Sequence, residues 1–190
     1  MGIQESLQKR RSYYAINNVL PVSEEEIERT VQTLTELVPD AFNMKSARVV
    51  LAFGRAHEQL WDNIFDAFHG KVPRKKIDSF RAGAGTVLYF YDEETVRAMQ
   101  SQFAAYADNF PLWALQANGM LQLSIWSGLR ELGVGASVQH YNPVIDDAVR
   151  AQFDVPEGYR LIAQMPFGSI VEEPEAKERE EIARRVKIVR

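Results

Sequence analysis

The chain has no cysteine among its 190 residues. That one absence removes disulfides, thiolate nucleophiles, iron–sulfur clusters and cysteine-held zinc together. It fits a reducing compartment. Histidine is nearly as scarce: His57, His69 and His140 are the three. They stand far apart with no metal-ligand spacing around them, which gives no basis for a metal site. A GxSxG nucleophile elbow is missing, and so is a GxxxxGK[ST] phosphate loop. Gly83-Ala-Gly85 and Gly133-Val-Gly135 lack the third glycine of a dinucleotide fingerprint. The second also lies between a helix and a following strand, the reverse of the Rossmann order. No apolar run approaches the roughly 18 residues of a membrane helix, and residues 1–20 lack the apolar core of a signal peptide. A net charge of -4 gives no electrostatic ground for nucleic-acid binding. Lys9-Arg10-Arg11 and Arg74-Lys75-Lys76 are basic patches, not a basic face. The expectation is a cytoplasmic protein without nucleic-acid or membrane partners. With no catalytic group of its own in view, any enzymatic chemistry falls to a bound cofactor.

What is present is ordinary globular material, 46% hydrophobic and 25% charged, and the length suits one domain over residues 1–190. Residues Ser6 to about Tyr14 read as a short helix carrying Arg10, Arg11 and Ser12. Ser23 followed by Glu26 makes a capping box. Ile27, Val31, Leu34 and Val38 then give one apolar stripe that Pro39 ends. Residues 48–54 and 85–91 read as buried strands. Between them, His57 to Phe68 reads as an amphipathic helix turning Leu60, Ile64 and Phe68 inward. Asp92 caps a helix expected to reach about Asp108. Trp113 to Leu132 is the longest helix and is apolar nearly all round, which marks a core or interface element. Residues 134–139 and 159–167 read as further strands. Asn142-Pro143 reads as the start of a helix ending near Phe153. The last residues, 185–190, alternate apolar and charged and read as an exposed strand, an edge that a partner subunit would cover. Helices and strands intermix without strict alternation, which predicts an α+β fold around a central mixed sheet flanked by helices.

Four segments carry groups that suit a ligand. Arg10, Arg11 and Ser12 offer paired guanidinium donors and a hydroxyl, a set that suits a phosphate monoester; a solvated basic face looks the same. Asn43 and Lys45 follow the break at Pro39. An Asn amide reads a heterocycle edge with both donor and acceptor, although a plain helix–strand connection accounts for the segment as well. Small residues from Gly133 to Ala136 let the backbone of Val138, Gln139, His140 and Tyr141 approach a flat ligand, or simply pack helix on strand. Lys177 and Arg179 add two alternating cations to a charged tail.

Taken together and in this order, the four segments resemble the nitroreductase family, over essentially the whole chain. Tyr106-Ala-Asp-Asn-Phe-Pro-Leu-Trp113, Gly119-Met-Leu121 and Gly135-Ala-Ser-Val-Gln-His-Tyr-Asn-Pro143 resemble a short branch of it that includes copper-induced bacterial and fungal fatty-acid-repression members. The resemblance implies FMN as cofactor, NAD(P)H as electron donor, ping-pong hydride transfer through the flavin N5, and a small aromatic acceptor such as a nitroaromatic or quinone. It implies an intertwined homodimer with FMN at the subunit interface and the C-terminal strand exchanged. By position, Arg10, Arg11 and Ser12 would hold the FMN phosphate and ribityl chain, with Lys177 and Arg179 completing the phosphate site. The loop from Pro39 to Asn43 would lie against the partner's flavin. The backbone of Val138, Gln139, His140 and Tyr141 would face the ring. Arg81 is the expected cation at its pyrimidine end, with Arg74, Lys75 and Lys76 as rivals. Asp40 near the flavin would disfavour an anionic reduced ring unless Lys45, expected with Asn43 at the flavin, offsets it. Phe42, Tyr106, Phe110 and Trp113 are candidate walls of an acceptor channel, or else part of the core or the dimer interface. The alternative function is a flavin-binding regulatory or stress-response protein with little turnover.

Overall fold

β-Branched and aromatic residues concentrate in a few runs, and those runs make one sheet. The computed structural model describes residues 2–176, 178 and 181–190. Its strands are β1 (Ile16–Asn17), β2 (Ala47–Phe53), β3 (Gly85–Asp92), β4 (Val134–Ala136) and β5 (Tyr159–Ile170). They run in the order β1-β5-β3-β2, with β4 also paired to β5. All of these ladders are antiparallel. Among the described residues, parallel pairing enters only through the isolated bridge between Ser12 and Ala136. The class is α+β, as the intermixed elements predict, but the sheet expected to be mixed is antiparallel in every ladder among the described residues.

Alternation along β3 sends its side chains to two cores. Val87 and Tyr89 meet Ile27 and Val31 of α2 (Glu24–Leu37) and Leu121, Ile125 and Leu129 of α6 (Phe110–Glu131). Leu88 and Phe90 meet Leu60, Trp61 and Ile64 of α3 (Gly54–Ala67) and Ile77 and Phe80 of α4 (Arg74–Arg81). The β3–β5 register shifts between Tyr89 and Phe90, where the pairing passes from Ala163 to Leu161. Such an extra residue re-aims the side chains beyond it. Ala163 accordingly lies in the first core and Leu161 in the second.

The helix starts follow their caps. Ser23 Oγ accepts the Glu26 N–H at 3.3 Å, and Asp92 Oδ1 accepts the Glu94 N–H at 3.0 Å ahead of α5 (Glu93–Gln102). Several local expectations need correction. The first helix, α1 (Ile3–Lys9), stops before the basic triplet, because the Tyr13 N–H is bonded to the Ala136 carbonyl at 3.0 Å. α5 ends at Gln102, short of Asp108, and residues Ala104–Asn109 form a 3-10 segment. α7 (Asp146–Phe153) begins three residues after Pro143, whose carbonyl accepts the Asp146 N–H at 3.1 Å in a preceding turn. The tail is not a strand: Ile182–Arg184 is a 3-10 turn, and residues 186–190 run exposed without a ladder.

Candidate functional site

The basic triplet sits on non-helical chain that is held against β4. One carbonyl, that of Ala136, accepts both the Tyr13 N–H at 3.0 Å and the Trp126 Nε1–H at 2.9 Å. Trp126 in turn lies under Arg10, with the guanidinium carbon 4.0 Å from the ring centroid. Among the described residues neither Arg10 nor Arg11 makes an ion pair. The Nε of each is buried without a hydrogen-bond partner. Arg11 donates to the Glu175 carbonyl from its Nη2. Burial and then the neighbouring Arg11 cation push the Arg10 pKa below its ordinary value. Two adjacent cations with unused donors and no carboxylate are an arrangement that an anion relieves.

Beyond β4 the chain continues alongside β5. Gln139 exchanges both backbone bonds with Gln164, at 2.7 and 2.9 Å. The Tyr141 N–H is bonded to Gln164 Oε1 at 2.8 Å. The backbone N–H groups of Val138 and His140 have no partner among the described residues. Of the four residues expected to face a ligand with their backbone, these two therefore have donors to spare.

Arg81 is drawn elsewhere. Its guanidinium pairs with Glu58 Oε2 at 3.1 Å and with Asp62 Oδ2 at 3.1 Å. The cation that the structure brings to Tyr141 is Lys76, whose Nζ is 6.0 Å from the ring centroid. Lys76 lies in the first turn of α4, a helix with only Ile77 and Phe80 buried, too short a stripe to register in the sequence.

Asn43 and Lys45 lie in a second place, the loop between α2 and β2. They line a cavity of about 230 Å3 together with Glu36, Pro39, Asp40 and Arg48. None of Arg10, Arg11, Ser12 or residues 138–141 reaches it. Phe42, Asn43 and Lys45 all have positive φ, at 54°, 52° and 51°. That region is costly for a side chain such as Phe. Here the ring of Phe42 is held by Phe103 at 4.9 Å, Phe110 at 5.4 Å, Tyr106 at 5.7 Å and a stacked Trp113 at 5.7 Å. Of the four expected channel walls, Phe110 is fully buried core, whereas Phe42 and Tyr106 are each 49% exposed. Lys45 does not offset Asp40: it pairs with Glu36 at 3.3 Å. Asp40 Oδ2 accepts from the Ser46 N–H at 2.8 Å and the Ser46 hydroxyl at 2.6 Å. Lys177 and Arg179 lie outside the described residues.

The two places sit at opposite ends of α6. Trp113 packs on the Phe42 loop and Trp126 on Arg10, a span of about 20 Å at ~1.5 Å per residue.

The nitroreductase family profile matches residues 7–169. The chain belongs to the nitroreductase family. Two curated relatives from Saccharomyces cerevisiae are similar over most of their length. The putative nitroreductase HBN1 is 32% identical over 91% of this chain and 90% of its own. The nitroreductase FRM2 is 33% identical over 90% of each. Among solved structures, the nitroreductase CinD from Lactococcus lactis is 36% identical over the whole of both chains. It superposes with a TM-score of 0.95 in its chloramphenicol complex and 0.92 in its 4-nitrophenol complex. A nitroreductase structure from Saccharomyces cerevisiae, 31% identical, covers 88% of this chain and 95% of its own with a TM-score of 0.79. This nitroreductase is thus an oxidoreductase by family, and a flavin is the family's typical cofactor.

Proposed function

We propose that this nitroreductase is an FMN-dependent oxidoreductase that passes electrons from NADH or NADPH to a flat aromatic acceptor, a nitroaromatic or a quinone. The observation that carries the reading is a pair of guanidinium groups, Arg10 and Arg11, without an ion-pair partner among the described residues, beside a run of backbone with unused donors. The residues fit the group: the Arg10 and Arg11 Nε atoms are buried without partners, and a phosphate supplies what they lack. Arg10, Arg11 and Ser12, with Lys177 and Arg179 from the other end of the chain, would hold the phosphate. The Val138 and His140 N–H groups would face the ring. The chemistry that such a group supplies is two-electron carriage between a nicotinamide donor and an aromatic acceptor. Lys76 would hold positive charge near the ring. The nitroaromatic ligands of the Lactococcus lactis relative support that class of acceptor. Steady oxidation of NADPH or NADH that depends on added 4-nitrophenol or a benzoquinone is the expected result in a spectrophotometric assay. No acceptor-dependent oxidation with either donor would contradict the reading.

The same reading includes a homodimer. The Phe42 loop and the Arg10 cluster are too far apart on one chain to share a ligand, and a second copy running across α6 would bring the loop of one chain to the cluster of the other. α6 supports this. Leu112, Leu115 and Leu123 are exposed by 57%, 44% and 42%, and with Gly119 they fall on one helical face. A Cβ at Gly119 would meet nothing within 4 Å, so a partner helix can approach closely there. Ile188 and Val189, exposed by 74% and 81%, are a second apolar element for a partner to cover, and exchange of the tail belongs to the same proposal. Leu123→Glu places a charge in that face and is expected to shift the protein to monomer on a calibrated sizing column with light scattering. A dimer that persists at micromolar concentration would move the interface elsewhere.

A further inference from the structure

Tyr141 is the one described residue at this site whose side chain is almost wholly buried, 7% exposed, and yet ends in a polar atom with no partner. Its ring is fixed edge-on to Trp61 at 5.8 Å and to Phe68 at 5.5 Å, so the hydroxyl has little freedom to look for another acceptor. A buried hydroxyl without a hydrogen bond is a penalty on the fold, and such a group calls for an explanation. Its surroundings give one. The Lys76 ammonium lies over the same ring. Tyr14, two residues past Ser12 and 52% exposed, packs its ring on Phe80 at 6.0 Å. Burial, and then the nearby Tyr14 phenol, raise the Tyr141 pKa above its ordinary value. Tyr141 therefore stays protonated and able to donate. Two phenols and an ammonium converge here from three separate elements, beside the open N–H groups of Val138 and His140.

Resting on the functional reading above, we infer that the Tyr141 hydroxyl is a donor reserved for the bound flavin, acting with Tyr14 and Lys76 on one polar edge of its ring. Donors of this kind suit a carbonyl-type acceptor and grip it harder as it gains electrons. Tyr141 is thus a binding residue that also sets the flavin's potential, at a cost to the empty protein.

The test compares the full-length protein with its Tyr141→Phe variant. Three readouts are made: apo-protein melting temperature, FMN affinity by titration, and flavin midpoint potential. Removing an orphan hydroxyl should leave the apo melting temperature unchanged or raise it. FMN affinity should fall about tenfold. The potential should fall by ~30 mV, which is a tenfold change for a two-electron couple. FMN affinity and potential equal to wild type would overturn the inference. So would a lower apo melting temperature, which would mean that the hydroxyl already has a partner in the fold. Failure of the wild-type chain itself to bind FMN is a separate outcome. It would remove the functional reading, and this inference with it.

Discussion

Replacing Arg10 and Arg11 together by alanine is expected to weaken FMN binding at least a hundredfold while leaving the apo fold intact. Each charge-assisted hydrogen bond to a phosphate is worth about 1.5–3 kcal/mol. Losing two costs about 3–6 kcal/mol, and roughly 1.4 kcal/mol is a factor of ten in affinity. Partial exposure of both side chains argues for the lower end through solvent screening. The apo fold should not suffer, because neither arginine has an ion-pair partner among the described residues and the Nε of each is already unsatisfied. Arg10 does rest on Trp126, and an exposed cation–π contact is worth about 0.5–1 kcal/mol. Fluorescence titration with FMN, paired with a melt of the apo-protein, separates the two effects. Unchanged affinity in the double variant would remove the phosphate assignment.

Acid is expected to cost this protein about 3 kcal/mol through a single buried imidazole. His57 is fully buried. Its Nε2 is 3.2 Å from the Arg81 carbonyl and its Nδ1 is 2.7 Å from Thr86 Oγ1. Thr86 Oγ1 also accepts the Trp61 Nε1–H at 2.9 Å, which leaves the Thr86 hydroxyl proton free to go to His57 Nδ1. This pattern suits the neutral ring with its proton on Nε2. Burial pushes the pKa down from 6.5 to about 4, against the raising effect of the Arg81 carbonyl. In the unfolded chain the ring titrates near its ordinary value. Between pH ~6.5 and ~4 the unfolded state therefore takes a proton that the folded state refuses. The stability tied to neutral His57 is whole above pH ~6.5 and is lost as the pH falls towards ~4. At about 1.4 kcal/mol per pH unit that sums to about 3 kcal/mol. Urea unfolding at pH 7 and pH 4.5 measures it, with His57→Gln as the control that shares every other titrating group. Wild type should lose roughly 2–3 kcal/mol more than the variant over that interval. Parallel losses would mean that the ring is protonated in the folded protein.

Local patterns were readable in the chain, and distant pairings were not. The α2 cap at Ser23 and the stripe of Ile27 and Val31 are short-range signals, and they hold. So do the alternation in β3 and the near-continuous apolarity of α6. The end of α1 was hidden because what pulls Arg10, Arg11 and Ser12 out of the helix is Ala136, far along the chain. α4 was hidden because two buried residues in eight do not make a period. β2 reads as buried, yet it is a sheet edge with most of its residues half-exposed. The site divides in the same way. Arg10 and Arg11 carry chemistry in their residue type, so they were visible. Tyr141 was legible for its backbone alone and Lys76 as a rival to Arg81; their approach to one another and to Tyr14 from three elements is something no local pattern encodes. The sequence favours Arg81 over Lys76 for the ring cation, and only the position of Glu58 and Asp62 on α3 shows that the Arg81 charge is already matched.

The most direct test of the whole account is the visible absorption spectrum of the purified protein, supplied with FMN and freed of excess, before and after anaerobic NADPH or NADH. A retained oxidised-flavin spectrum that bleaches on adding the reductant, and returns when a nitroaromatic is added, is the predicted result. A retained flavin that neither nicotinamide bleaches would contradict the oxidoreductase mechanism and favour a flavin-binding regulatory protein. A colourless protein that FMN cannot load would contradict the flavin site itself.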